Sequence, residues 1–523
     1  MSATSAVLTI HEILERHVIS NPSRVAVVDG VQRLSYGELA TQVDRIAKAL
    51  LARGIRKGDR VALLAAPSLD FWRIYLATVS IGAIWNGLNP RYQRFEYTYL
   101  LENAQPSLVF AFAPFEGRDY RAELIDAGAA SGNVIALDPG GADTDAWREF
   151  LAGGARIPDE ELVRTRSSVA PEDIAVIVYT SGTTGKPKGA MLSQRAIASA
   201  AMVNLEWMGD GLERSICSAP INHVGALNNL CMNVLAYGGM LVFHPRVDQD
   251  ALADLGRREQ PTFIVTSPTG LMMLFANPQH VESRLGMARL IVFGGATTPR
   301  TMLERLVRPG VRLSSVYGQT ETCGIITFTG PDDDLDAMAD AVGRPLRGAE
   351  VRIADEHDKP CAPGDKGEIQ IRGPYVMSGY FRMPEATREA FTADGFLHTG
   401  DLGLLRTDGN LVFVGRLKEM FKSGGYNVYP LEVELAICAH PAIAMSVVTP
   451  VPHDVFQEVG HAFVTCREGV SVSADELRAF LRERIANYKI PKSFSFESEL
   501  PLLPNSKVDR KALKVRALGN SAG

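Results

Sequence analysis

Eleven consecutive residues constrain this chain more than any other stretch: Tyr179-Thr180-Ser181-Gly182-Thr183-Thr184-Gly185-Lys186-Pro187-Lys188-Gly189. They follow Ile174 to Val178, an apolar and β-branched run that reads as a buried strand. Three glycines let the backbone bend tightly and approach a ligand closely. Hydroxyls and two lysines sit among them, so the loop can surround phosphate oxygens with N–H, O–H and ammonium donors. It is not a Walker A loop, which needs four residues between its glycines and Ser or Thr after the lysine. Here two residues separate Gly182 from Gly185, and Pro187 follows Lys186.

At 523 residues the chain exceeds one ordinary core, so two or more domains are expected. Hydrophobic content of 46% with 22% charged residues is that of a soluble globular protein. A net charge of −6 argues against a nucleic-acid partner and leaves room for a local basic patch facing an anionic ligand. The six cysteines are scattered and form no C-x-x-C pair, which fits a reducing, cytoplasmic setting. Met1 to Ile10 shows no signal-peptide pattern, and no apolar stretch is long enough for a transmembrane segment.

Most of the chain alternates short apolar runs with helical patterns. Arg60 to Ala66, Leu108 to Ala113, Ile174 to Thr180, Thr262 to Ser267 and Leu290 to Gly295 read as strands. Tyr36 to Arg53 carries Leu39, Val43, Ile46, Ala47 and Leu50 at helical spacing, with Gly54 as the stop. This alternation predicts α/β layers with mostly parallel sheets. After about residue 340 short strands at Val351 to Ile353, Glu368 to Arg372 and Leu411 to Gly415, separated by glycine-rich turns, suggest a small antiparallel barrel. Beyond Arg416 a compact mixed region is expected. It has a helix at Leu431 to Cys438, strands at Ala444 to Thr449 and Val459 to Thr465, and a helix at Ala474 to Ala486. Gly140 to Glu161, rich in Gly, Ala and Asp, reads as a surface connection.

Four more motifs follow the loop in order: Tyr317-Gly318-Gln319-Thr320-Glu321-Thr322, His398-Thr399-Gly400-Asp401, Gly415-Arg416-Leu417-Lys418-Glu419, and the late Lys507. Together with the loop they resemble the adenylate-forming superfamily of acyl- and aryl-CoA synthetases, peptide-synthetase adenylation domains and luciferases. The resemblance covers nearly the whole chain. It implies an N-terminal AMP-binding domain over residues 1–417, with a small barrel, and a mobile α+β C-terminal domain over 418–523 that turns about Lys418.

The resemblance also implies roles. Thr180, Ser181, Gly182, Thr183, Thr184, Gly185 and Lys188 would hold the ATP phosphates. Tyr317 and Gly318 would meet adenine, and so would Gly295 and Ala296 after the strand Leu290 to Phe293. Thr320 would reach the α-phosphate, and Glu321 would hold Mg²⁺, a hard cation that prefers oxygen ligands. Asp401 would accept both ribose hydroxyls, and Arg416 would add a ribose or phosphate contact. Lys507 would bridge the substrate carboxylate and the α-phosphate. A cation about 4 Å from developing charge, at an effective dielectric near 20, stabilises it by about 4 kcal/mol, roughly a thousandfold in rate. Ser506 stands where the family usually has glycine.

Ser423-Gly424-Gly425-Tyr426-Asn427-Val428 resembles the turn that enters the site for thioester formation, where Gly425 would let the pantetheine arm of CoA pass. Sixteen residues follow Lys507, so a carrier-protein acceptor would act in trans, and free CoA is the simpler expectation. Amino-acid adenylation domains place an Asp near the stretch Pro220 to Leu227; this chain has no acid from Ile216 to His244. His223 matches the substrate gate of CoA synthetases. The expected substrate is a medium-chain fatty, alicyclic or aromatic carboxylic acid. The rivals are a ligase loading a carrier protein and an inactive ATP-binding homologue. A homodimer is compatible with this reading.

Overall fold

The computed structural model describes residues 8–180, 186–295, 298–467, 469–503 and 508–520. Two sheets flank a buried helix near the start. The six-stranded sheet runs in the order Val134–Leu137, Leu108–Phe112, Arg60–Leu64, Ile84–Leu88, Ile174–Thr180, Lys188–Ser193. All its neighbours are parallel except the last pair. The second sheet joins Gln32–Ser35, Val25–Asp29, Met240–Phe243 and Arg214–Cys217. Between them lies the helix Leu69–Ser80, capped by Ser68 and buried at every position but Arg73. Its Phe71 ring lies 5.7 Å from Trp85 on one sheet and 5.9 Å from Phe243 on the other. Truncating one such buried aromatic costs about 3–5 kcal/mol, so this layer fixes the spacing of the two sheets.

A third sheet orders Phe263–Thr266, Leu290–Gly294, Arg312–Gln319, Gly324–Phe328 and Arg344–Pro345. Its first three strands are parallel and the rest antiparallel. The expected small barrel is an antiparallel meander of Glu350–Ala354, Gly367–Arg372, Leu397–Leu405 and Leu411–Arg416. Among the described residues no ladder joins its first strand to its last, so it is an open sheet. Four strands are too few to close around packed side chains.

The smaller C-terminal region is α+β. Phe421–Ser423, Tyr426–Val428, Ile443–His453, Gln457–Cys466 and Ser493–Phe496 form its sheet, flanked by the helices Pro430–Cys438, Ala474–Arg482 and Arg510–Asn520. Its apolar side chains gather in two clusters of their own, one around Val433, Val464 and Leu477 and one around Phe463 and Leu513. The main core instead runs from Ile10 to Leu411. Among the described residues no helix is long and apolar enough to cross a membrane.

Two further sequence expectations need correction. The stretch from Gly140 to Glu161 contains the helix Asp145–Gly153 and the start of another, Asp159–Ser167. Thr144 caps the first by accepting from the Trp147 N–H, and Trp147 and Phe150 bury against Phe110. Two aromatics at i, i+3 outweigh the local glycines. The helix from Ala474 stops at Arg482, four residues short of expectation.

Candidate active site

The hairpin that carries the glycine-rich loop is tightly built. Ile174–Thr180 pairs antiparallel with Lys188–Ser193, and Thr180 opposite Lys188 is the last pair. Ser181, Gly182, Thr183, Thr184 and Gly185, expected to contact phosphate, lie outside the described residues, and two tyrosines hold the residues that flank them. One anchor is Tyr99, whose hydroxyl donates to the Pro187 carbonyl at 2.8 Å while its ring lies under Lys186. The other is Tyr380. The Lys188 ammonium sits 5.0 Å from its ring centroid, and its hydroxyl donates to Glu321 Oε1 at 2.9 Å.

Tyr380, which sequence reasoning did not single out, thus touches two of the candidate residues. Its segment adds to the hairpin edge: Met191 N–H donates to the Gly379 carbonyl at 2.9 Å and Phe381 N–H to the Gly189 carbonyl at 2.8 Å. Tyr380 itself bridges Ala190. The segment has no periodicity; the one local signal is Gly379, at φ +133° against Thr387.

Glu321 stands in the single turn Thr320–Thr322 at the end of the strand Arg312–Gln319. The turn is stapled by Thr322, whose Oγ1 accepts from the Gln319 N–H at 3.0 Å and lies 2.8 Å from the Gly324 carbonyl. Gly318 is obligatory here, because a Cβ would fall 1.8 Å from the Gly324 oxygen. The Glu321 carboxylate is held at Oε1 by the Tyr380 hydroxyl. Thr320 is buried beside it.

The structure brings Asp401, Arg416 and Tyr317 together. Asp401 and Arg416 face each other across neighbouring strands, with Arg416 Nε 3.3 Å from Asp401 Oδ1. The Tyr317 hydroxyl donates to Asp401 Oδ2 at 2.8 Å. Asp401 is only 3% exposed, and burial pushes its carboxyl up from the usual range, while the Arg416 charge and the Tyr317 hydrogen bond pull it back. Burial, then the Asp401 charge, push the Tyr317 hydroxyl well up, so it stays a donor. A carboxylate offers about four lone-pair sites. Tyr317 takes one of these and Arg416 lies beside Oδ1 as an ion-pair partner, so lone pairs remain for further donors. The Tyr317 ring itself stacks on Phe413 at 5.9 Å, a neighbour the sequence did not indicate.

Gly295 ends the strand Leu290–Gly294 at φ +83° with open space beside it, whereas a Cβ on Gly294 would strike Val316. Ala296 lies outside the described residues. His223 begins the short helix Val224–Ala226, its Nδ1 accepting the Gly225 N–H at 3.0 Å. The chain then winds into a π-helical turn, Leu227–Met232. Asn228 donates to the Cys323 carbonyl at 3.0 Å and Asn229 accepts the Ile325 N–H at 3.1 Å. These bonds tie the His223 segment to the strand that follows Glu321.

Lys418 lies exposed in the turn Leu417–Glu419. Gly424 and Gly425, at φ +59° and +86°, form the two-residue turn between Ser423 and Tyr426, and nothing lies within 4 Å of a Cβ placed on Gly425. Lys507 falls outside the described residues, but the base of its loop is pinned. Leu502 bridges Val508, Asp509 N–H donates to the Pro501 carbonyl at 2.8 Å, and Arg510 forks onto buried Glu434 at 2.8 and 2.7 Å.

The AMP-binding enzyme family matches residues 14–381, and the AMP-binding enzyme C-terminal domain matches residues 432–507. An indoleacetate–CoA ligase of Aromatoleum aromaticum is 35% identical over 506 residues, covering 96% of this chain and 96% of that protein. ATP-bound MatB from Rhodopseudomonas palustris is similar with a TM-score of 0.83 at 31% identity, over 97% of this chain and 99% of that one. The amide bond synthetase McbA from Marinactinospora thermotolerans gives a TM-score of 0.85 at 29% identity, over 97% of this chain and 100% of that one.

Proposed function

We propose a function from one premise: the chain belongs to the adenylate-forming superfamily, in its AMP-binding, acyl-CoA synthetase branch. It is an ATP-dependent, acyl-adenylate-forming enzyme of the CoA-ligase and amide-synthetase type. Within that type we infer a carboxylic acid–CoA ligase that releases AMP and pyrophosphate. The observation that carries the reading is the buried Asp401 carboxylate, hydrogen-bonded by Tyr317 and paired with Arg416, with lone pairs left to accept further hydroxyls.

In the first half-reaction the glycine-rich loop and Lys188 hold the β- and γ-phosphates, and Asp401 accepts the ribose hydroxyls. A substrate carboxylate oxygen attacks the α-phosphorus and pyrophosphate leaves. Lys507 offsets the repulsion between the two anions. Glu321, with Thr320 beside it, would hold Mg²⁺, whose charge stabilises phosphate oxygens. Tyr380 keeps the Glu321 carboxylate pointed by occupying its other oxygen.

In the second half-reaction the C-terminal region, residues 418–523, turns about Lys418. The Gly424-Gly425 turn then borders the path of the CoA pantetheine. The thiolate attacks the acyl carbonyl, the C–O bond to AMP breaks, and acyl-CoA forms. We assign the acid to the medium-chain fatty, alicyclic or aromatic class. Support comes from the absence of any acid between Ile216 and His244 to pair an α-ammonium group, and from the similarity to an indoleacetate–CoA ligase. His223, at the head of the segment tied to Cys323 and Ile325, is the proposed gate of that pocket.

The test is pyrophosphate release with a panel of carboxylic acids, with and without CoA. Acid-dependent release, with acyl-CoA formed only when CoA is present, supports the ligase. Turnover of L-amino acids alone, or thioester formed only on an added carrier protein, contradicts it. No release with any acid identifies an inactive homologue.

A further inference from the structure

The strand that carries Asp401 does not run straight. Between the Gln370–His398 and Glu368–Leu402 pairs, the single residue Ile369 opposes three: Thr399, Gly400 and Asp401. A bulge of this kind re-aims a side chain, and its surplus backbone groups need partners. The structure supplies them from the neighbouring strand and from Thr399 of the bulge itself. Thr399 Oγ1 donates to the Ile369 carbonyl at 2.6 Å and accepts the Asp401 N–H at 3.1 Å. Gly400, in the left-handed region at φ +69°, donates its N–H to Glu368 Oε1 at 2.9 Å. The other oxygen of Glu368 lies 2.7 Å from His398 Nδ1.

Asp358, Glu368 and His398 offer ligand atoms within 4.8 Å of one another, a spacing that suits a metal ion. Gln370 reaches all three. Gln370 Nε2 donates to Asp358 Oδ1 at 2.6 Å and sits 3.5 Å from Glu368 Oε2 and 3.4 Å from His398 Nδ1. Arg352 Nε donates to Gln370 Oε1 at 2.8 Å, which fixes the amide with its NH₂ toward the carboxylates. Gln370 is fully buried. The cluster is therefore a clamp built around an amide.

We infer that Glu368 is a positioning residue for the nucleotide. Its carboxylate, buttressed by His398 and Gln370, holds Gly400 so that Asp401 emerges from the bulge facing Tyr317 and Arg416. This rests on the reading in which Asp401 accepts the ribose hydroxyls. Without the clamp the Gly400 N–H loses a charged acceptor, the bulge relaxes, and the residue next in line is Asp401. Groups that meet the phosphates or the acid, such as Lys188, stand on other strands and keep their places.

The test compares wild type, Glu368→Ala and Glu368→Gln in the full chain. Titration calorimetry gives Kd for ATP and AMP, steady-state assays give kcat and both KM values, and thermal scans give Tm. Loss of one charge-assisted hydrogen bond predicts that Glu368→Ala binds both nucleotides about tenfold more weakly. The kcat at saturating ATP and KM for the acid should stay within about twofold, since only nucleotide placement is disturbed. Glu368→Gln keeps an oxygen for the Gly400 N–H and should recover most of the affinity. If Glu368→Ala does not fold, Glu368→Asp, which draws the carboxylate back by one methylene, carries the same expectation. An unchanged Kd, a Gln variant as weak as Ala, or an equal loss in kcat and both KM values overturns the clamp. A wild type that binds no ATP overturns the functional reading instead.

Discussion

Replacing Tyr317 by Phe removes one oxygen atom and leaves the ring to stack on Phe413. It takes away the hydroxyl that donates to Asp401 Oδ2 at 2.8 Å. Neither partner has water to fall back on, since Tyr317 is 8% and Asp401 3% exposed. A hydrogen bond to a charged group contributes about 1.5–3 kcal/mol, equal to roughly a 10- to 150-fold change in the stability of the ionised carboxylate. Arg416 cannot compensate, because its side chain is 55% exposed and its ion pair is screened. Burial already pushes the Asp401 carboxyl up. The substitution pushes it further, so the neutral form persists to higher pH. A neutral carboxyl group has fewer acceptor sites for the ribose. ATP affinity in Tyr317→Phe should therefore fall by about tenfold or more near neutral pH and recover as pH rises. Wild type should show the same rise at lower pH. Titration calorimetry with ATP at constant salt from pH 5.5 to 9 measures this, with Tm as a control for folding. An affinity and pH profile equal to those of wild type would refute the argument that Tyr317 keeps Asp401 ionised.

Tyr380→Phe frees Glu321 Oε1 and should raise the Mg²⁺ concentration for half-maximal activity by about tenfold, as loss of a partner behind a metal ligand does; a Mg²⁺ titration of pyrophosphate release checks it. Lys507→Ala should lose acyl-AMP formation by roughly a thousandfold while still converting synthetic acyl-AMP and CoA to thioester. Gly425→Leu should do the reverse, because φ +86° is strained for leucine and its side chain would fill the open face of the turn; assaying each half-reaction separately distinguishes the two variants. His461 sits between the Ser493 and Ser495 hydroxyls at 2.6 and 2.9 Å, and burial lowers its pKa below the ordinary 6.5. The unfolded chain then binds the proton more readily, so stability present above about pH 6.5 is lost as pH falls toward the folded value. His461→Gln should flatten that fall in Tm between pH 7 and 5.

Elements with strong local patterns were legible in the sequence. Ile174–Thr180 and the helix from Tyr36 appear as their periodicity predicts, and Gly54 takes φ +85° as a helix stop should. Tyr317 lies far from Asp401 and Arg416 in the chain; the resemblance gave each a separate role, and the structure shows the three side chains in contact. What the sequence hid depends on tertiary contact. The helix Asp145–Gly153 exists because Trp147 and Phe150 find Phe110. Tyr380 matters because its irregular segment adds to the edge of Lys188–Ser193. The Glu368 clamp was invisible because a bulge is a property of two strands in register, and neither strand shows it alone.

The central claim is that a carboxylate oxygen becomes the bridge to the α-phosphorus of ATP. Heavy-oxygen labelling of the acid tests this directly. The labelled acid is turned over with ATP and CoA, and AMP, pyrophosphate and thioester are analysed by mass spectrometry. Attack at the α-phosphorus followed by thiolate attack on the carbonyl breaks the acyl C–O bond, so one labelled oxygen should leave in each AMP and none in pyrophosphate. Label in phosphate or pyrophosphate, or unlabelled AMP formed alongside acyl-CoA, would contradict the account.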